Sequence, residues 1–150
     1  MAATVNRRTL DDLLAEAQTR IVRYSAADAH AATLADGLLV DIRSDTDRER
    51  DGIVPGSLHI PRTVLEWRTA PDSAWRNPHI GGLDQQIILL CDHGCSTILA
   101  AATLTELGFT RAGDVIGGYA AWRDNGLPTA RAPRRSRDLR EPAGMNGPDR

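Results

Sequence analysis

Residues 87–97 read IILLCDHGCST, and this stretch decides the fold. Four branched apolar residues in a row are typical of a strand that is buried on both faces, as in a parallel sheet. The segment from Thr97 to Leu107 is rich in alanine and places apolar residues at helical spacing. The stretch is therefore predicted to form a strand, a six-residue loop that begins at Cys91, and a helix.

Cys91 stands where the predicted strand ends and its loop leads into the N-terminus of a helix. Backbone N–H groups and the helix dipole favour negative charge at such a position. A thiol placed there is expected to have a lowered pKa and to act as a nucleophile. The alternative is a buried cysteine that only fills space at the end of the strand.

The rest of the chain alternates predicted strands with predicted helices. Thr9 followed by Asp12, and Ser25 followed by Asp28, are patterns that begin helices. Strands are predicted at residues 20–24, 38–42, 57–60, 87–90 and 114–116. Helices are predicted at residues 9–19, 26–36, 62–68, 97–107 and 117–125, with a helical turn or a loop at 44–52. This alternation predicts an α/β fold with a parallel sheet.

The composition is that of an ordinary single-domain protein of 150 residues with a net charge of −2. The arginines are mostly interleaved with acidic residues, so no nucleic-acid partner is expected. No apolar run approaches the ~18–20 residues that a membrane span needs, and the N-terminus lacks the apolar region of a secretory signal. Two cysteines four residues apart cannot form a stabilising disulfide framework. A cytoplasmic location with reduced thiols is therefore predicted.

The binding crevice of such a sheet lies beyond the carboxyl ends of its strands. Four stretches are predicted to meet there, and each follows a predicted strand. They are residues 41–43, 60–62, 91–96 and 117–118.

At these positions the sequence resembles the rhodanese-like sulfurtransferases, over residues 20–130. Four motifs carry the resemblance, and they occur in the order and spacing of the family. They are VDIR at 40–43, GIVPGS at 52–57 with Ile53 where the family has a histidine, CDHGCST at 91–97, and GGYAAW at 117–122 followed by GLP at 126–128. The resemblance implies a five-stranded parallel sheet with helices on both faces. Outside the region of resemblance, residues 1–19 are predicted to be an N-terminal helix packed on the domain, and residues 131–150, rich in Arg and Pro and poor in apolar side chains, are predicted to be a disordered tail.

The resemblance also implies a sulfurtransferase that carries sulfane sulfur as a persulfide on Cys91. The loop residues predicted to bind the sulfur are Asp92, His93, Gly94, Cys95, Ser96 and Thr97. The supporting residues are predicted to be Asp41, Arg43 and Arg62, with Arg43 paired to acids of the 45–51 turn. The partners are a small sulfur donor and a thiophilic acceptor, either a small thiol or a protein. No cofactor is expected, and no metal, because Cys91, His93 and Cys95 lack a fourth ligand nearby.

Two residues of the loop depart from the expected pattern. Asp92 is acidic where many relatives that use thiosulfate carry cationic side chains, and it disfavours a dianionic donor and a low thiol pKa. Cys95 could attack a persulfide on Cys91 and form an internal disulfide. A non-enzymatic binding or redox-sensing module therefore remains as an alternative. A phosphatase is disfavoured, because its loop is expected to be one residue longer.

Overall fold

The computed structural model describes residues 6–133. Its sheet has five parallel strands in the spatial order β1-β5-β4-β2-β3, which confirms the predicted fold class. The strands are β1 (Val22–Tyr24), β2 (Leu38–Asp41), β3 (Leu58–His59), β4 (Ile87–Leu90) and β5 (Ala112–Val115). β4 is central and fully buried, as its unbroken apolar sequence predicts.

Within residues 6–133, helices connect all of these strands. They are α1 (Leu10–Gln18), α2 (Ala26–Ala35), α3 (Asp45–Asp51), α4 (Leu65–Thr69), α5 (Ser96–Glu106) and α6 (Gly118–Asp124), with a 3₁₀ turn at Arg62–Val64 before α4. Thr9 caps α1 through a reciprocal pair of bonds with Asp12, as predicted. The charged segment that the sequence left open between a helical turn and a loop forms α3.

Helices cover both faces of the sheet. Alternate strand residues point to opposite faces, so each face of the sheet contributes its own side chains to a hydrophobic cluster. On one face, Leu89 and Cys91 pack with Ala100 and Leu104 of α5. On the other face, Ile88 packs with helices α2 and α6. α1 lies outside α5, where Ala17 contacts Ile98 and Ala102 in a separate small cluster.

The largest difference from the predicted boundaries lies at β5. This strand begins at Ala112 rather than at Asp114, so Asp114 lies inside the strand and not at its start. Its side chain shares the face of Ala112, which is the face covered by α5. Most of the tail predicted to be disordered, residues 134–150, lies outside the described residues.

Candidate active site

Cys91 directly follows β4 at the carboxyl end of the sheet, where the parallel topology places a binding crevice. It continues the alternation of Ile87 and Leu89, so its side chain points to the α5 face. Only 7% of the residue is exposed, while Cys95, at the N-cap of α5, is exposed, and neither forms a disulfide. Cys91 is therefore a sheltered thiol at the mouth of its loop.

The loop after Cys91 curls back so that the N–H of Gly94 donates to Cys91 Sγ at 3.1 Å. Gly94 has φ of 78°, and a Cβ at this position would lie 2.6 Å from the backbone nitrogen of Gly117. Glycine is required here both by the left-handed backbone and by the close approach of the two segments. The N–H of Tyr119 donates to the Cys91 carbonyl at 2.7 Å and so fixes the loop from the other side.

A second polar group reaches the sulfur from the first turn of α5. Thr97 Oγ1 lies 3.5 Å from Cys91 Sγ, and the same hydroxyl donates to Asp114 Oδ2 at 2.8 Å. Both Thr97 and Asp114 are fully buried. The thiol is thus connected through one hydroxyl to a buried carboxylate on β5.

Arg23 on β1 completes this side of the site. Its Nε and Nη2 donate to the two Asp114 carboxylate oxygens at 2.9 and 3.1 Å, and Nη2 also donates to the carbonyl of Gly94 at 2.9 Å. Arg23 and Asp114 are register partners on adjacent strands, so their side chains share a face. The bond to Asp114 raises the pKa of Arg23, which therefore stays charged. Neither residue is among the site residues predicted from the sequence.

Opposing effects act on the Cys91 thiol. Burial raises its pKa, whereas hydrogen bonds from the Thr97 and Ser96 hydroxyls and from the N–H groups of Thr97 and Gly94 lower it. The hydrogen bonds together outweigh the burial, and the pKa of Cys91 lies below that of an ordinary cysteine. The predicted low pKa follows from this loop despite the neighbouring Asp92.

Arg43 and Asp41 lie on the opposite side of the loop, after β2. Arg43 donates to Asp41 through Nε at 3.0 Å and Nη2 at 2.8 Å, and its Cζ lies 4.1 Å above the Tyr119 ring. The prediction that acids of the 45–51 turn pair with Arg43 is wrong, because Asp41 takes that role and also binds Arg48 of α3. This cluster holds β2, α3 and α6 together.

Asp92 is the residue that links this cluster to the cysteine loop. Its Oδ1 lies 3.7 Å from Arg43 Nη1, which is buried and has no hydrogen-bond acceptor among residues 6–133. Burial raises the pKa of Asp92, the charge and hydrogen bond of Asp47 raise it further, and Arg43 opposes both. One side of the loop therefore carries three neighbouring carboxylates, Asp47, Asp51 and Asp92, of which Asp47 and Asp51 are also paired with Arg50.

The remaining predicted site residues are the exposed residues of the loop, among them Ser96, whose hydroxyl also bonds Cys91, and Arg62. His93, Cys95 and Ser96 are exposed on the loop surface. Arg62 forms an ion pair with Glu66, one turn further along. Within residues 6–133 no hydrogen bond or ion pair joins the Arg62 side chain to the Cys91 loop, and its supporting role stays a prediction.

The described part of the chain also bears on metals and membranes. No group of three or more His, Cys, Asp or Glu side chains within residues 6–133 could hold a metal ion. Over the same residues, every helix is too short or too polar to cross a bilayer.

The chain is similar to known proteins both in sequence and in structure. A model of the rhodanese-like domain matches residues 25–125. Thiosulfate sulfurtransferase 16 of Arabidopsis thaliana, a chloroplastic protein, is 32% identical over 70% of this chain and 89% of its own length. Thiosulfate sulfurtransferase GlpE of Stutzerimonas stutzeri is 33% identical over 70% of this chain and 87% of its own.

One solved structure is similar over almost its whole length. It is a protein of unknown function from Rhodopseudomonas palustris, described as a possible tyrosine phosphatase. It is 34% identical, covers 87% of this chain and 99% of its own, and superposes with a TM-score of 0.76.

Proposed function

The chain belongs to the rhodanese-like domain family, and from this premise we propose that it is a sulfurtransferase that carries sulfane sulfur as a persulfide on Cys91. The observation that carries the proposal is the geometry at Sγ, which accepts the Gly94 N–H at 3.1 Å and lies 3.5 Å from the Thr97 hydroxyl. These donors suit an anion of the size of one sulfur atom, whether a thiolate or a persulfide.

The reaction proceeds in two displacements, with no net oxidation or reduction. The Cys91 thiolate attacks the outer sulfur of the donor, the bond between that sulfur and the rest of the donor breaks, and the leaving group departs with the electron pair. A thiophilic acceptor then attacks the outer sulfur of the Cys91 persulfide. The S–S bond breaks, and the Cys91 thiolate is regenerated with its electron pair.

The charge around the loop affects which sulfur donor suits the site. Asp92, a carboxylate of the loop itself, opposes the approach of a dianion such as thiosulfate, whereas Asp47 and Asp51 contribute less because both are paired with Arg50. The Arg23 guanidinium is engaged by Asp114 and Gly94, and Arg43 by Asp41. A singly charged or neutral persulfide or polysulfide therefore suits the site better than thiosulfate. The acceptor is a small thiol or a protein thiol, and two free cysteines in one loop suit the reducing cytoplasm.

The test is to detect the persulfide itself. The protein is incubated with a polysulfide or with thiosulfate, and its intact mass is then measured. We expect a gain of one sulfur atom that cyanide removes. Cys95→Ser is the matched control and should retain the adduct, whereas Cys91→Ser should lose it. Absence of the adduct from the wild type with every donor, or its persistence in Cys91→Ser, would refute the proposal.

A redox-sensing role is the second candidate, and it rests on the exposed Cys95 in the same loop as Cys91. The Cys95 thiolate would attack the inner sulfur of the Cys91 persulfide, forming a Cys91–Cys95 disulfide and releasing hydrosulfide. Disulfide mapping after persulfidation tests this step. A Cys91–Cys95 peptide should appear as the persulfide disappears, and a persulfide that persists without this bond would eliminate the sensor.

Phosphatase activity has the description of the Rhodopseudomonas relative in its favour. The loop of this chain opposes it, because residues 92–97 contain no arginine to hold a phosphate in a bidentate manner. The nearby Arg23 is already bound on two sides. We therefore expect no hydrolysis of an aryl phosphate above the level of Cys91→Ser, and hydrolysis that depends on Cys91 would reverse this ranking.

A further inference from the structure

Asp114 is a fully buried carboxylate that the sulfur chemistry above does not use. Such a group is retained only when its oxygens are well paired. Here it accepts two bonds from Arg23, at 2.9 and 3.1 Å, and one from the Thr97 hydroxyl, at 2.8 Å. Asp114 therefore competes with Cys91 for the only hydrogen that the Thr97 hydroxyl can donate.

The position of that hydrogen depends on the ionisation of Cys91. An ionised carboxylate only accepts hydrogen bonds, so at 2.8 Å the Thr97 hydrogen points to Asp114. Thr97 Oγ1 then offers only lone pairs to Cys91 Sγ, 3.5 Å away. This arrangement suits a thiol, whose S–H can donate to Oγ1. A thiolate or a persulfide anion has no hydrogen to donate, so it needs the hydroxyl to turn.

We propose that Thr97 is a positioning residue that turns its hydroxyl hydrogen from Asp114 to Sγ when Cys91 becomes a thiolate or a persulfide, while Arg23 holds the charge of Asp114 in both states. The inference rests on Cys91 being the sulfur carrier of the proposed function. On ionisation the thiol proton leaves to water at the loop mouth. Asp114 loses one bond and keeps the two from Arg23, so no other charge changes.

Arg23 supports both of the groups that face Sγ, the Thr97 hydroxyl and the Gly94 N–H. It pairs with Asp114, and it also holds the carbonyl of Gly94, whose N–H donates to Sγ. The side chain of Arg23 is 24% exposed, so it spans from the buried carboxylate to the surface. One guanidinium thus keeps Asp114 paired when the hydroxyl turns, and keeps the Gly94 N–H aimed at the sulfur.

Other charged groups also face the Cys91 loop, and the test must separate their effects from that of Thr97. Arg23 on β1 and Asp114 on β5 approach from one side, and Arg43 after β2 from the other. The loop itself carries further titratable groups: Asp92, His93 and Cys95. Replacing Thr97 leaves all of these side chains in place. Valine exchanges the Thr97 hydroxyl for a methyl group and so removes the bond to Asp114, whereas serine keeps the hydroxyl and lacks only the methyl group.

The test measures the rate at which iodoacetamide alkylates Cys91 as a function of pH, in a Cys95→Ser background so that one thiol remains. Thr97→Val should move the midpoint upward by about one pH unit, the size of one hydrogen bond to a charged group. Thr97→Ser should restore it. Asp114→Asn should move the midpoint downward, because it frees the hydroxyl and removes a neighbouring negative charge.

A double-variant cycle separates the hydroxyl from the charge alone. In Thr97→Val the further change Asp114→Asn should lower the midpoint by less than half of its effect in the parent protein, since no hydrogen remains to be freed. Strictly additive shifts, an unmoved midpoint in Thr97→Val, or no restoration by Thr97→Ser would each overturn the inference. Alkylation needs no sulfur donor, so a failure of sulfur transfer is detected separately by the intact mass.

Discussion

Two aspartate–arginine pairs flank β4, the strand that ends at Cys91, one on each neighbouring side of the sheet. On the β5 side, Asp114 pairs with Arg23 and accepts the hydroxyl that faces the thiol. On the β2 side, Asp41 pairs with Arg43 and with Arg48 of α3. The same chemistry therefore serves two purposes, because only the first pair is hydrogen-bonded to a group in contact with the sulfur.

The environments of the two arginines sharpen this difference. The Arg43 side chain is 1% exposed and is stacked on Tyr119, so it has no route to water if its partner is lost. Arg23 is partly exposed and can be hydrated at its outer edge. We infer that the Asp41 pair supports mainly the fold and the Asp114 pair mainly the thiol.

Replacing each aspartate by asparagine is the most direct test of whether the two pairs differ in their contribution to stability. Asp41→Asn removes the close carboxylate partner of the buried Arg43 and leaves Asp92, at 3.7 Å, as its nearest charged partner, so it should lower the free energy of unfolding by about 3–5 kcal/mol. Asp114→Asn should cost about 1–2 kcal/mol, since Arg23 can reach water. Urea denaturation measures both effects. The exposed Arg50→Gln is the control and should leave the transition unchanged. Equal costs for the two aspartate variants would contradict the division of roles.

The Cys91 loop lies between the two pairs, and its role can be tested at a glycine with left-handed backbone. Gly94 lies inside the loop, and Gly126, with the same backbone conformation, lies outside it. Gly94→Ala adds a methyl group 2.6 Å from the Gly117 nitrogen, whereas the methyl group of Gly126→Ala would meet no atom of residues 6–133 within 4 Å beyond its chain neighbours. Gly126→Ala should cost about 1 kcal/mol of unfolding free energy, and Gly94→Ala about 2–4 kcal/mol because overpacking adds to the backbone strain. Only Gly94→Ala should also slow alkylation of Cys91 at neutral pH, because it moves the Gly94 N–H away from Sγ. Similar alkylation rates in both variants would show that this N–H does not support the thiolate.

Much of this architecture could be predicted from local sequence. The run at 87–90 is buried because four apolar residues leave no polar face, and the turn from strand to helix follows from the residues beside it. Arg23 and Asp114 could not be found in this way, since they are distant in sequence and meet only through the register of β1 and β5. The one available signal was a charged residue inside each of two short strands, which in a buried sheet calls for a partner.

Arg62 is a different case. Its place after β3 predicts a supporting role, and this role stays a prediction. The contact that the structure adds is the ion pair with Glu66, four residues further along, and that spacing was visible in the sequence. Arg43, by contrast, was correctly predicted to form an ion pair, although with a different acid.

Asp92 lies between the thiol and the Asp41 pair, and changing it tests whether that side selects the donor. Asp92→Asn removes a negative charge beside the loop and should raise kcat/KM for thiosulfate by about three- to tenfold at low salt. A neutral persulfide donor should show little change, so the ratio of the two values is the informative measurement. The gain should shrink as salt is added. An equal gain with both donors would mean that Asp92 acts on the thiol and not on the charge of the donor.

The smallest expected effect is the pH dependence of stability that the thiol itself contributes. Because the folded protein lowers the pKa of Cys91, the thiolate stabilises the fold above the pKa of an unfolded cysteine, and this contribution is lost as the pH falls through the folded value. The unfolding free energy of the wild type relative to Cys91→Ser should therefore rise with pH across this window. Thr97→Val should flatten the rise, because it removes a donor to the thiolate, whereas Asp41→Asn should lower stability at every pH without changing the slope. A slope that responds to Asp41→Asn and not to Thr97→Val would place the thiol under the control of the β2 side and reverse the roles assigned to the two pairs.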